Sequence, residues 1–290
     1  MAPRSRLSIA KADIVKTLNA LGKNVFTRSD LEELLDEHRE FWRLAKDTTF
    51  NTFVRFLQDH AGLQENEFKF PRPTNRYTLG KISTLEIVQS LQPNGYFSHY
   101  TAVSLHGLTE QVPKTIFDNS EQRLKPGGGE LTQGGINRAF ASRCRVSNNR
   151  AEYKDQEICL LNGANTNQLG VVAIETSSRE KLRVTDLERT LIDIVVRPNY
   201  SGGISEIAKA YSEAAEQISV NRLVAYLKKL GYTYPYHQSI GYYMERSNKY
   251  SESQLSLIKQ LEITYDFYLD YQIREKKYIE KWRLFVPKGF

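Results

Sequence analysis

The stretch Val184-Thr-Asp-Leu-Glu-Arg-Thr-Leu-Ile-Asp-Ile-Val-Val-Arg-Pro198 constrains this chain more than any other, because it spells a helix with a start, several apolar faces and a stop. Thr185 followed three residues later by Glu188 predicts a capping box, in which two unpaired backbone N–H groups at the helix start find side-chain acceptors. Leu187, Leu191, Ile192, Ile194 and Val195 cover more than one stripe, which predicts a helix enclosed on several sides. Pro198 and the pair Gly202-Gly203 end it. Arg189 and Asp193, at i and i+4, read as a structural ion pair on whatever flank stays polar, not as catalytic charges.

A buried helix needs a core around it, and 290 residues with 40% hydrophobic content supply enough for two domains. The longest apolar runs are about five residues against the roughly 20 that cross a bilayer, so no membrane association is expected. The start, Met1 to Arg6, is basic but leads into an amphipathic pattern and not an apolar leader, which predicts a cytoplasmic protein. In that compartment Cys144 and Cys159 are expected as free thiols. The net charge of +6 is shared evenly: 14 basic against 11 acidic residues through Ile82, then 26 against 23, or +3 each. Bulk charge therefore admits a nucleic-acid partner without locating it.

Local arrangement locates it in residues 1–82. Ile14, Val15, Leu18 and Leu21 form one stripe that Gly22 closes, and Leu31, Leu34 and Leu35 form a second after Thr27 or Ser29. From Thr48 to Ala61, the residues Phe50, Phe53, Val54, Leu57 and Ala61 fall in one sector at about 100° per residue. The opposite face carries Thr48, Asn51, Thr52 and Arg55, side chains that donate to phosphates or read base edges. Phe68-Lys-Phe70 and Tyr77-Thr-Leu79 follow as two short strands around Pro71 to Arg76. Three helices and a basic hairpin are the order of a winged helix-turn-helix, with the third helix in the major groove and the wing on the backbone or minor groove. Lys69, Arg72 and Arg76 are then the expected wing contacts, with Arg43 and Lys46 as phosphate clamps before the recognition helix. Winged helices also serve as protein-interaction modules, a reading this pattern leaves open.

Residues 83–290 read as a larger α+β domain with a mixed or antiparallel sheet. Strands are expected at Thr115–Asp118, Arg145–Ser147, Ile158–Leu161 and Val171–Ile174, and Leu124–Asn137, with five glycines, reads as a flexible loop. Ile263 to Ile273 alternates apolar and polar residues, predicting a long half-buried strand whose antiparallel partner is Tyr278 to Val286. His99 and His106, seven apart, share a helical face but lack a further ligand within comparable reach, so no metal is expected. Asp186 with Glu188, and Asp266 with Asp270, are explained by capping and by a solvent-facing strand without invoking magnesium. No HExxH, GxSxG, paired Cys-x-x-Cys or Walker pattern occurs, which predicts a protein without catalytic residues or cofactor.

Three segments, Tyr96-Phe-Ser-His-Tyr-Thr-Ala-Val-Ser-Leu-His-Gly-Leu-Thr109, Val184 to Asp193 and Gln238-Ser-Ile-Gly-Tyr-Tyr-Met-Glu245, in that order behind a winged helix, resemble the AbiEi family. The resemblance spans nearly the whole chain through short motifs. Members of that family are antitoxins of type IV abortive-infection toxin-antitoxin systems. It implies an N-terminal domain that represses its own promoter at repeated operator sequences in double-stranded DNA. It also implies a C-terminal domain that counters a cognate nucleotidyltransferase toxin, directly or indirectly. Only the recognition-helix and wing residues above carry over as DNA contacts, and no toxin-contact residue is assigned. The competing readings are a stand-alone winged-helix regulator whose second domain senses a ligand, and a nucleotide-transfer enzyme.

Overall fold

The computed structural model describes residues 5–123, 129–176 and 180–290. The chain divides into two compact units, residues 1–93 and 94–290. The boundary thus falls after Pro93 and not at residue 82.

The first unit runs α1 (Arg6–Ala20), β1 (Val25–Phe26), α2 (Arg28–His38), α3 (Phe50–Ala61), β2 (Leu63–Phe68), β3 (Thr74–Leu79) and α4 (Thr84–Gln89). Its strands form an antiparallel sheet in the order β1-β3-β2, with β2 and β3 in register from Leu63↔Leu79 to Phe68↔Thr74. This is a winged helix-turn-helix, the β2–β3 hairpin being the wing. Thr27 starts α2 through a capping box with Asp30, and Gly62 ends α3 in the left-handed conformation that glycine adopts without strain. Ile14, Phe26, Leu31, Phe53 and Leu57 are almost wholly buried and make one core.

The long link between α2 and α3 is held by two residues. Trp42 is buried, stacked between His38 (4.9 Å between ring centroids) and Phe53 (5.8 Å). Arg39 donates through Nη1 to the carbonyls of Ala45 and Thr48, both at 3.1 Å, so the turn's free carbonyls are satisfied by one fixed guanidinium.

The second unit continues with β4 (Tyr96–Phe97), α5 (His99–Leu105), β5 (Thr115–Glu121), α6 (Gln133–Ala141), β6 (Arg150–Tyr153), β7 (Gln156–Gly163), β8 (Val171–Glu175) and β9 (Lys181–Thr185). Then come α7 (Leu187–Val196), α8 (Ile204–Ala214), α9 (Val220–Leu230), α10 (Tyr236–Ser247), α11 (Glu252–Lys259), β10 (Phe267–Tyr268), β11 (Lys276–Ile279) and β12 (Leu284–Pro287). Among the described residues six strands form one mixed sheet in the order β6-β7-β5-β4-β9-β8, with β7 parallel to β5 and β4 parallel to β9. The architecture is α+β, as expected. Helix α7 packs against α5, α8, α9 and α10, and Leu191, Ile192 and Ile194 are fully buried, so the helix is enclosed on several sides.

Its start differs from expectation. Thr185 is the last residue of β9, and Asp186 is the N-cap, accepting the Arg189 amide at 2.9 Å. Glu188, fully buried, faces away from the cap and accepts from the Ser219 amide and Arg222 Nη2, each at 2.8 Å. Thr185 still belongs to the strand, and its hydroxyl bonds the Thr190 hydroxyl of α7 at 2.8 Å and not the Glu188 amide. Arg189 and Asp193 do pair, at 2.8 Å, but both side chains are buried.

Other segments depart from the sequence pattern for similar reasons. Residues 263–273 hold only the short β10, which runs parallel to β12, while β11 supplies β12's antiparallel neighbour. Three other amides there bond outside the sheet: Asp266 N–H to Gln133 Oε1, Tyr271 N–H to Asp270 Oδ1, and Gln272 N–H to the Phe140 carbonyl. Tyr271 stacks on Phe140 with centroids 4.5 Å apart, so beyond the short β10 ladder the alternating aromatics fill a side-chain cluster. Gly134 and Gly135 lie in α6, where Thr132 caps the Gly135 amide, and residues 124–128 of the expected loop fall outside the described residues. Arg145–Ser147 is not a strand; the Ser147 amide donates to the Tyr200 hydroxyl at 2.7 Å.

Candidate nucleic-acid interface

Helix α3 is the third helix of the winged fold, and its burial is one-sided. Phe53, Val54, Phe56 and Leu57 are buried, while Asn51, Thr52 and Arg55 are exposed. These three lie at i, i+1 and i+4 and therefore share a sector of the helix, prolonged by exposed Gln58 and Asp59. The N-cap is Thr49, whose hydroxyl accepts the Thr52 amide at 3.3 Å and bonds the Thr52 hydroxyl at 2.9 Å. Thr48 thus lies ahead of the helix, half-buried, with its carbonyl held by Arg39. Thr48 was expected on the recognition face; the structure removes it, because Thr49 wins the cap.

Arg43 and Lys46 are exposed in the link before α3, Arg43 in a left-handed conformation with φ 51°. Lys69 and Arg72 are exposed in the turn of the wing between β2 and β3. No carboxylate is paired with Arg43, Lys46, Arg55, Lys69 or Arg72 among the described residues, which leaves five exposed cations without a counter-charge. The stem of the wing is different: exposed Glu65 and Glu67 sit on β2, and Glu65 accepts from Asn75 Nδ2 at 2.6 Å. Only the tip of the hairpin is cationic.

Arg76 does not belong to this set. It is 9% exposed, and burial lowers its pKa, although Arg stays charged. Its Nε donates to the Ser90 carbonyl and hydroxyl, and its Nη2 to the carbonyls of Ser90 (2.8 Å) and Leu91 (3.3 Å). Those are orphan carbonyls at the end of α4, so Arg76 ties that helix to the wing strand and carries α4 into the first unit. An alternating strand puts Arg76 on the face opposite Asn75 and Tyr77, and that face is covered.

The first unit also exposes groups that the sequence pattern did not single out. Thr49 is one; two successive threonines ahead of Phe50 each fit an N-cap, and only geometry chooses. Arg28 is another, at the start of α2, with its guanidinium carbon 4.6 Å from the Phe50 ring centroid and Nε 2.7 Å from Glu32. The cation over the ring explains why Phe50, first residue of α3, stays half-exposed without disorder of the packing.

In the second unit, the residues of the three motif segments act mainly on the fold. Gln238 is fully buried, and its Nε2 donates to the carbonyls of Tyr265, Trp282 and Arg283. A Cβ at Gly241 would overlap the ring of Trp282, which is why glycine stands there. Glu245 accepts from Trp282 Nε1 at 2.7 Å. His106 bonds the Thr185 carbonyl at 2.6 Å, joining the first motif to the second. His99 and His106 do not converge; among the described residues no group of three or more His, Cys, Asp or Glu gathers around a point.

Fold and exposed face together define the N-terminal class: a winged helix with a polar, partly cationic third helix. The whole chain is similar to a solved structure, the RV2827C protein from Mycobacterium tuberculosis, with a TM-score of 0.59 at 14% identity, covering 98% of this chain and 93% of that one. That likeness concerns fold alone. No family model matches the chain. No curated protein matches it either. Among the described residues no helix is long and apolar enough to cross a membrane.

Proposed function

We propose that this chain is a cytoplasmic, non-enzymatic transcriptional repressor of its own promoter and the antitoxin of a type IV toxin-antitoxin system, countering a nucleotidyltransferase toxin in phage defence. The observation that carries the DNA-binding half is the exposed Asn51–Thr52–Arg55 face of α3 in a unit whose wing ends in unpaired Lys69 and Arg72. Asn and Arg pair bidentately with adenine and guanine edges, and the surrounding cations suit the backbone. The antitoxin half is supported by the AbiEi-like motifs, whose residues build the second unit. Arg43, Lys46, Lys69 and Arg72 serve as phosphate contacts, and Asn51, Thr52 and Arg55 as base or phosphate contacts. The protein needs no cofactor for either role.

The test is an anisotropy titration of the intact protein against the DNA upstream of its own reading frame. Arg55→Ala and the Lys69→Ala/Arg72→Ala pair each weaken binding, and log affinity falls linearly with log salt, the pair flattening the slope by about 2 contacts' worth. Unchanged affinity in both variants would remove the α3 and wing assignment. Co-expression with the neighbouring toxin gene tests the other half: growth rescue by the intact chain is expected, and no rescue would overturn it.

A further inference from the structure

The second unit holds a cavity of about 680 Å³ that the repressor reading does not use. Its size lies in the range of small-molecule sites. Its charged lining is one-signed: Arg123, Arg145, Arg189 and Arg197 against the single carboxylate of Asp193. Asp193 is spent on Arg189, whose other donors go to Thr166 Oγ1 and the Leu169 carbonyl. Arg123, Arg145 and Arg197 have no carboxylate partner among the described residues, and the partner of Arg197 is the Cys144 sulfur at 3.6 Å. Three guanidiniums around one cavity, none held by a carboxylate among the described residues, suit phosphate oxygens.

A second observation comes from His99. It lines the same cavity, is 8% exposed, and sits at φ 53°, an uncommon conformation for a residue other than glycine. Ser98 Oγ holds Nδ1 at 2.8 Å, and Nε2 has no partner among the described residues. The Tyr200 ring stands 5.3 Å from the imidazole centroid, and Tyr232, elsewhere in the cavity lining, has a hydroxyl that likewise has no partner among the described residues. Such a wall of aromatic rings with unspent polar atoms fits a planar heterocycle.

We propose that this cavity binds a nucleoside phosphate, with the phosphates on Arg123, Arg145 and Arg197 and the base against His99, Tyr200 and Tyr232. All its lining residues belong to the second unit, and its test does not depend on the repressor reading. The intact protein is titrated calorimetrically with AMP, ADP, ATP, GTP and UMP, with inorganic phosphate and adenosine as half-ligands and a short single-stranded DNA as the polymer. At least one nucleotide binds more tightly than either half-ligand and than the strand. Arg123→Ala and Arg145→Ala, both exposed and so compatible with folding, each raise its Kd about 10-fold. His99→Asn, which tolerates the left-handed backbone, weakens it as well, and Arg143→Ala, outside the cavity, does not. The proposal is overturned by no nucleotide binding, by phosphate or the strand binding as tightly as any nucleotide, or by indifference to Arg123→Ala and Arg145→Ala. Operator titrations of the same variants separate this outcome from any failure of the repressor assignment.

Discussion

Arg55 and Arg76, both arginines of the winged unit, have opposite fates that composition cannot distinguish. Arg55 is exposed, so Arg55→Ala leaves the melting temperature unchanged and costs about 1–3 kcal/mol of operator affinity if it reads a base. Arg76→Ala instead strips two carbonyls at the end of α4 of their donors, and a loss of about 1–3 kcal/mol of folding stability is expected in urea titration. A melting temperature unmoved by Arg76→Ala would refute that placement. Asp193→Asn leaves the Arg189 guanidinium buried without its counter-charge, and unfolding experiments should show about 3–5 kcal/mol lost. The i, i+4 spacing revealed that pair in the sequence. Its burial did not follow, because the loop carrying Thr166 and Leu169, which encloses Arg189, lies 20 or more positions away.

Elements were legible where periodicity and caps agreed. The apolar stripe of α3 and the core of α7 emerged in place because an enclosed face dictates side-chain type whatever it packs on. Where two residues competed for one cap, as Thr48 with Thr49 and Thr185 with Asp186, the winner depended on where the preceding strand or turn ended. The alternation across residues 263–273 misled for a different reason: aromatic residues at every second position also suit a cluster around Phe140. The cavity was not legible at all, since its arginines come from three separate segments, Arg189 and Arg197 sharing α7 and its end. Trp282 tests the element scale directly. Gly241→Ala pushes a methyl into its ring, and because the neighbouring backbone of α10 is packed, a loss of about 1–3 kcal/mol is expected by chemical denaturation.

For the molecule as a whole, each unit owns a core and one of the chain's two tryptophans, Trp42 in the first and Trp282 in the second. A Trp42→Phe variant therefore lets fluorescence follow the second unit alone. Burial pulls the His99 pKa down to about 4 from 6.5, so the native state resists a proton that the unfolded chain accepts. Stability from this group is complete above pH 6.5 and declines by up to about 1.4 kcal/mol per pH unit toward pH 4. His99→Asn should flatten that slope, and an unchanged slope would assign the acid sensitivity elsewhere. Trp282 has a last consequence, for synthesis. Gln238 and Gly241 on α10 wait for the carbonyl and the ring of a tryptophan encoded some forty codons later, so the larger unit cannot close while those codons remain unread. The winged module meanwhile leaves the ribosome with its core complete, and can take its final shape before the second half does.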